Sequence, residues 1–228
     1  HGINPPRPLS WRNLCQDFQQ VPLHLRPVDI PSLKSMNLNS LDPIALTAIA
    51  AVVSYLVGSL SFAVIVSRLF GLADPRTYGS GNPGATNVLR SGNKAAAILT
   101  LLFDAVKGYV PVIVALRLGL DQGLSQQVVA AAGLGAFIGH LWPVFFKFEG
   151  GKGVATAAGV LLGFAGALGG LVLLVWIAMA AIFRYSSLAA LTASLAAPLI
   201  QIYLQGVNIT TAVVVIMSAL LIWRHEAN

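Results

Sequence analysis

Charge is scarce in this sequence: Asp, Glu, Lys and Arg together make up 10% of its residues, against about 25% in soluble globular domains. Hydrophobic residues reach 56%, so water is not the solvent for most of the chain, and the class is a polytopic membrane protein. Thiols are nearly absent too. The single cysteine, Cys15, has no partner for an internal disulfide and no second thiolate for a zinc centre. No ligand cluster points to another metal, and none is expected; no cofactor is expected either. Also missing is any basic stripe with interleaved aromatics. The formal charge of +6 comes from cations scattered between apolar runs, which speaks against nucleic acid and for contact with membrane lipids.

Residues 1–35 differ from everything after them: they are rich in Pro, Gln and Arg and hold no lasting apolar period. They lack the uninterrupted apolar core of about 7–15 residues that a signal peptide needs. The expectation is a disordered or non-native N-terminal extension over 1–35, a natural start at Met36 and a membrane domain over 36–228.

A spanning helix takes about 20 mostly apolar residues, because about 30 Å of hydrocarbon is crossed at 1.5 Å per residue. Unpaired backbone is prohibitive in lipid, so the fold class is all-α. Apolar segments run over 44–69, 95–117, 128–148, 188–206 and 209–223, with a longer tract at 154–183. That tract exceeds one span, and the glycines of 163–170 predict a break near Gly166, giving about seven helices. Arg68, Arg76, Arg90, Lys94, Lys147, Lys152, Arg184 and Arg224 then fall on one side and only Arg117 in the loops of the other. The positive-inside rule puts the C-terminus in the cytoplasm and the N-terminus in the periplasm.

Three polar segments share the predicted cytoplasmic side. In the first, 73–94, glycines including Gly81 and Gly84 let the backbone turn its amides toward an anion. Ser80, Asn82, Thr86 and Asn87 add neutral hydrogen-bonding groups, and Arg90 adds a bidentate phosphate grip. In the second, Gly150, Gly151 and Gly153 surround Lys152 at the start of a helix whose dipole favours phosphate. The spacing is not that of a nucleotide-binding P-loop, and no hydroxyl follows the lysine to hold magnesium. A solvated loop and a tight turn remain the open alternatives for these two segments. In the third, His225 and Asn228 lie three apart, on one face if the helix continues. His225 titrates near neutral pH, and Glu226 has Arg224, Arg184 and Lys152 as potential partners. Asp104 and Lys107 sit three apart inside an apolar run. They read either as a mutual scaffold pair or as part of an ion pathway. His140 reads as a hydrogen-bonded structural residue or as a substrate contact.

Taken in order, GSGNPGATNVLR, FDAVKG, GHLWPVFFKFEGGKGVAT and the closing RHEAN resemble the successive signatures of the bacterial acyl-phosphate-dependent glycerol-3-phosphate acyltransferase family. The resemblance covers residues 36–228. It implies a seven-helix inner-membrane enzyme of phospholipid synthesis with its active site facing the cytoplasm. Such an enzyme transfers a fatty acyl group from acyl phosphate to the sn-1 hydroxyl of glycerol 3-phosphate, giving lysophosphatidic acid and phosphate. An acyl-phosphate-producing enzyme would then act upstream. By the same resemblance, Ser80 and Arg90 are the essential pair of the first motif, and Gly150, Gly151, Lys152 and Gly153 form the glycerol-phosphate loop. His225 and Asn228 belong to the third motif, and Glu226 corresponds to a glutamate tied to structural integrity. Family members continue past this asparagine with a basic amphipathic tail, so a chain ending at Asn228 is expected to anchor its third motif weakly.

An acyl phosphate is already activated, so the favoured mechanism is direct attack by the glycerol-phosphate hydroxyl, with Ser80 as a hydrogen-bonding group. Two alternatives stand beside it: a nucleophilic Ser80 activated by His225, and proton removal by the substrate's own phosphate. A small-anion transporter is the rival class, although no internal repeat is seen and the polar segments gather on one face. Mass spectrometry of natively expressed protein is expected to find a chain beginning at Met36; an intact chain beginning earlier would make the extension native.

Overall fold

Asp42 starts the first helix among the described residues. Its carboxylate accepts the N–H groups of Ile44 and Ala45 at 3.1 Å each, and Pro43 follows at the first helical position, where a missing N–H costs nothing. The computed structural model describes residues 42–122 and 126–226. The expectations for residues 1–35, Met36 and Asn228 lie outside the described residues.

Among the described residues the regular structure is helical, with no strand. The α-helices are α1 (Pro43–Gly58), α2 (Phe62–Leu69), α3 (Ala85–Leu89), α4 (Lys94–Gln122), α5 (Gln126–Leu141), α6 (Val154–Phe164), α7 (Gly166–Phe183), α8 (Ser186–Gln205) and α9 (Ile209–Trp223). The tract at 154–183 is divided where expected, but by a different residue. Ala165 adopts an extended conformation between α6 and α7, and Gly169 folds α7 back so closely that a Cβ there would meet the backbone of Leu162 2.5 Å away.

Three boundaries differ from the sequence reading. The segment 44–69 is broken at residues 59–61, where the Ser59 hydroxyl donates to the Tyr55 carbonyl. The third segment stops as a helix at Leu141, because Pro143 disfavours helix before it. A 3-10 turn, Val144–Phe146, and left-handed Lys147 and Phe148 follow. Helix α3 lies inside what read as loop.

Among the described residues, five segments are long and apolar enough to cross a membrane: Pro43–Leu69, Lys94–Leu118, Gln126–Phe146, Gly166–Phe183 and Ser186–Gln205. Two apolar helices, α6 and α9, are shorter. At 11 residues, α6 rises about 16 Å, roughly half the hydrocarbon thickness.

Helices in lipid gain nothing from leaving water, so they hold together by close packing, which small residues permit. Helix α1 packs along α5, α4 along α6, and α7 along α8. At the α4–α6 crossing a Cβ on Gly159 would overlap the Ala105 carbonyl, and one on Gly108 the Thr156 carbonyl; Gly135 and Gly139 bring α5 equally close to α1. Phe137, Leu141, Phe164 and Leu168 fill the interior, each less than 2% exposed. Gly159→Val is expected to lower stability by about 3 kcal/mol or more, by overpacking a backbone contact. Gly170, with no atom within 4 Å of its Cβ position, is the control: Gly170→Ala should be neutral or stabilising by up to about 1 kcal/mol. Thermal unfolding in detergent measures both.

Candidate active site

All three polar segments meet at one end of the bundle, and side-chain bonds join them in pairs. Arg76 binds Asp74 at 2.7 Å and Glu149 at 3.1 Å, linking the first segment to the second. The guanidinium hydrogen bond holds the Asp74 carboxyl below its usual range. Arg224 donates to the carbonyls of Gly150 at 2.8 Å and Gly151 at 3.3 Å, linking the third segment to the second.

Within the first segment Asn87 is the organiser. It is 1% exposed; its Oδ1 accepts the Ser80 N–H at 3.1 Å, and its Nδ2 donates to the carbonyls of Pro75 and Tyr78 at 2.6 and 3.1 Å. All its hydrogen-bonding groups are therefore turned to the loop itself. Gly79 has a positive φ of 60°, and a Cβ there would overlap the Asn87 amide. Gly81, at φ 66°, completes the turn. Ser80 and Arg90 are exposed, Arg90 closing α3.

In the second segment the glycine amides are not all free. The Gly151 N–H donates to the His140 carbonyl at 3.2 Å. A Cβ on Gly150 would overlap the His140 and Leu141 carbonyls, and one on Gly151 the His140 ring. Gly153, at φ 86°, turns the chain into α6. Lys152, between them, is half-buried, and burial followed by the charge of Arg224 lowers its pKa.

His225 is buried, and its Nδ1 lies 2.8 Å from the Leu221 carbonyl. A carbonyl only accepts, so Nδ1 carries the proton and Nε2 is left with a lone pair. Burial lowers the pKa of this imidazole, the Leu221 bond opposes that, and Lys152 adds to it. Glu226 is exposed and forms no ion pair with Arg224, Arg184 or Lys152. Asn228 lies outside the described residues.

A cavity of about 780 Å³ lies among these groups. Ser80, Asn82, Arg90, Lys152 and His225 line it, as do Gly84, Thr86, Asn87 and Gly153; Gly81, Gly150, Gly151 and Glu226 do not. Asp104 and His140 reach it from the helices, while Lys107 does not. Farther in, the lining is apolar, supplied by Leu101 of α4, Leu161 of α6, Trp176 of α7, Ala193 and Ala197 of α8 and Val214 of α9. Counting along α8 from Ser187 to Ala197, the apolar part runs about 15 Å into the bundle.

Other lining residues escaped the sequence reading as site residues: Lys94, and the α7–α8 turn of Arg184, Tyr185, Ser186 and Ser187. The signal of the turn was present as a cation and three hydroxyls between apolar runs, yet a short turn with one arginine also satisfies the positive-inside rule. Among the described residues no group of three or more His, Cys, Asp or Glu is placed to hold a metal ion.

Against known proteins, a family profile described as glycerol-3-phosphate acyltransferase matches residues 48–228. A glycerol-3-phosphate acyltransferase of Paraburkholderia phytofirmans is 58% identical over 180 residues, covering 79% of this chain and 84% of that protein. One from Ralstonia nicotianae is 55% identical over 188 residues, covering 82% and 91%. Among solved structures, PlsY (YgiH), an integral membrane glycerol 3-phosphate acyltransferase, is similar in its glycerol 3-phosphate form. The TM-score is 0.74 at 36% identity, over 80% of this chain and 89% of that one. Sequence and backbone agree: the chain belongs to the glycerol-3-phosphate acyltransferase family, as an integral membrane protein.

Proposed function

We propose that this enzyme transfers a fatty acyl group from acyl phosphate to the sn-1 hydroxyl of glycerol 3-phosphate, at the cytoplasmic face of the inner membrane. The observation that carries the reading is the lining of the cavity. Four cations, Arg90, Lys94, Lys152 and Arg184, face it, against one carboxylate, Asp104, which already has a cationic partner in Lys107. Such a lining suits two phosphate-bearing substrates. The apolar depth behind it suits the tail of one of them, as the donor requires. The acyl donor and the regiochemistry are therefore part of this reading, as is a topology in which α6 and α9 complete seven crossings.

In the reaction the sn-1 oxygen attacks the acyl carbonyl carbon, a new ester C–O bond forms, and the bond from that carbon to the phosphate oxygen breaks. Phosphate leaves with the electron pair, and the hydroxyl proton passes to a base. Arg90 and Lys152 hold phosphate and stabilise developing charge, and Ser80 donates a hydrogen bond. Gly153 brings the N-terminus of α6, with its free amides, to the same phosphate. The neutral His225, with Nε2 unprotonated, is the base in the protein; the departing phosphate is the alternative acceptor.

Purified protein given palmitoyl phosphate and glycerol 3-phosphate is expected to release phosphate and form 1-acyl-glycerol 3-phosphate. Arg90→Ala and Lys152→Ala should each lower kcat/KM by about a hundredfold or more. Absence of product from the unmodified chain, or counterflow of labelled glycerol phosphate into liposomes without any donor, would favour transport instead. Because burial lowers the His225 pKa, its protonation should reduce kcat/KM only below about pH 6.5. In His225→Gln the residual activity should lose that acid limb; a limb that persists unchanged assigns the proton to the substrate phosphate. Asn87→Ala, which touches no substrate in this reading, should still cost about 1–3 kcal/mol of stability, since it removes the partner of the Ser80 N–H and of the Pro75 and Tyr78 carbonyls, the first of these carbonyl bonds being buried. Thermal unfolding measures that loss.

A further inference from the structure

Three buried polar side chains have no part in the chemistry above. Asp104 and Lys107 lie on α4 and His140 near the end of α5, at 2%, 3% and 7% exposure. Lys107 Nζ stands 2.7 Å from Asp104 Oδ1 and donates to the Leu60 carbonyl at 2.7 Å, at the break between α1 and α2. The same amine sits 5.7 Å above the Phe62 ring. His140 Nδ1 is 3.7 Å from the same Asp104 oxygen. Burying ions costs several kcal/mol each, and apolar replacement of such a pair is often neutral or stabilising. Helix packing alone therefore does not account for them.

Their contacts lead to the glycine-rich loop. The His140 carbonyl accepts the Gly151 N–H at 3.2 Å, and its ring fills the space where a Gly151 Cβ would stand. On another side of Gly151 lies the Pro83 carbonyl, 3.1 Å from that same Cβ position, in the segment that carries Ser80 and Asn82. Lys152 is the next residue.

We propose that Asp104, Lys107 and His140 form one positioning unit for the Lys152 loop. Lys107, anchored on the freed Leu60 carbonyl, holds Asp104; Asp104 orients the His140 ring. The ring and carbonyl of His140 then fix Gly150 and Gly151 against the first segment, which sets where the Lys152 amine stands in the cavity. His140 is in this account a positioning residue for the phosphate of glycerol 3-phosphate, and the inference rests on Lys152 binding that phosphate.

The test combines calorimetric binding of glycerol 3-phosphate, steady-state kinetics with palmitoyl phosphate and thermal unfolding. The variants are His140→Ala, the paired replacement Asp104→Leu with Lys107→Met, and Lys152→Ala. In the first two, Kd and KM for glycerol 3-phosphate should rise by roughly tenfold, while KM for palmitoyl phosphate stays within about twofold of the parent. Gly151→Ala, which crowds the ring, should be partly rescued by His140→Ala, a non-additive pair. A fall in unfolding temperature with glycerol 3-phosphate affinity unmoved would make the cluster purely structural and overturn the proposal. So would a loss of kcat alone, which would place His140 at the reacting atoms. If Lys152→Ala leaves glycerol 3-phosphate binding intact, the phosphate assignment itself is wrong. If Lys152→Ala weakens binding and His140→Ala does not, only the positioning inference falls.

Discussion

At Gly150 and Gly151 the loop backbone lies directly against the end of α5, with no room for a side chain on either residue. The arrangement at this end of the bundle depends on that close approach. It sets Gly151, the residue before Lys152, against the His140 ring, lets the Gly150 and Gly151 carbonyls receive Arg224, and brings the Pro83 carbonyl of the first segment alongside. A methyl group at either position would push these three parts of the chain away from one another. The same device, backbone packed on backbone through glycine, sets the α4–α6 and α1–α5 crossings. The helices that carry the site and the loops that form it are thus held by one kind of contact, short in range and intolerant of added volume.

Electrostatics then distinguishes the two parts of the cavity. Cations face it at the loop end, and their acidic partners are few. Asp74 and Glu149 are engaged by Arg76 outside the cavity lining, and Asp104 is engaged by Lys107. This leaves positive potential where phosphates would bind and spends the carboxylates on holding segments in place. Deeper in, the lining is almost wholly apolar. A substrate with an anionic head and a hydrocarbon tail has one orientation in such a space, and a small polar acceptor has only the charged end open to it.

The glycines have two separate jobs, which composition alone does not distinguish. In the first segment Gly79 and Gly81 take left-handed conformations that let the loop close over Asn87. In the second, Gly150 and Gly151 serve by being small, and the Gly151 amide is already bonded. A reading that treats every loop glycine as an anion-facing amide merges these roles. The residue type is common to both; φ and the neighbouring atoms differ.

The helical class, the membrane environment and the approximate extent of each apolar segment follow from the sequence alone, because hydrocarbon thickness and the need to pair every backbone group leave few choices. The motifs likewise point to phosphate chemistry without any structure, since glycine, lysine and arginine in those spacings have limited uses. Tertiary structure alone settled which side chains face the cavity. Asn87 lines the cavity but commits its amide to bracing its own loop, Glu226 stays outside the lining, and Lys94 and the Arg184–Ser187 turn joined it. It also settled the helix break at residues 59–61, and it put the break expected near Gly166 at the preceding residue, Ala165. At the first, the Leu60 carbonyl freed by the break is taken up by Lys107, 47 positions away. Local propensity has no access to a partner at that separation.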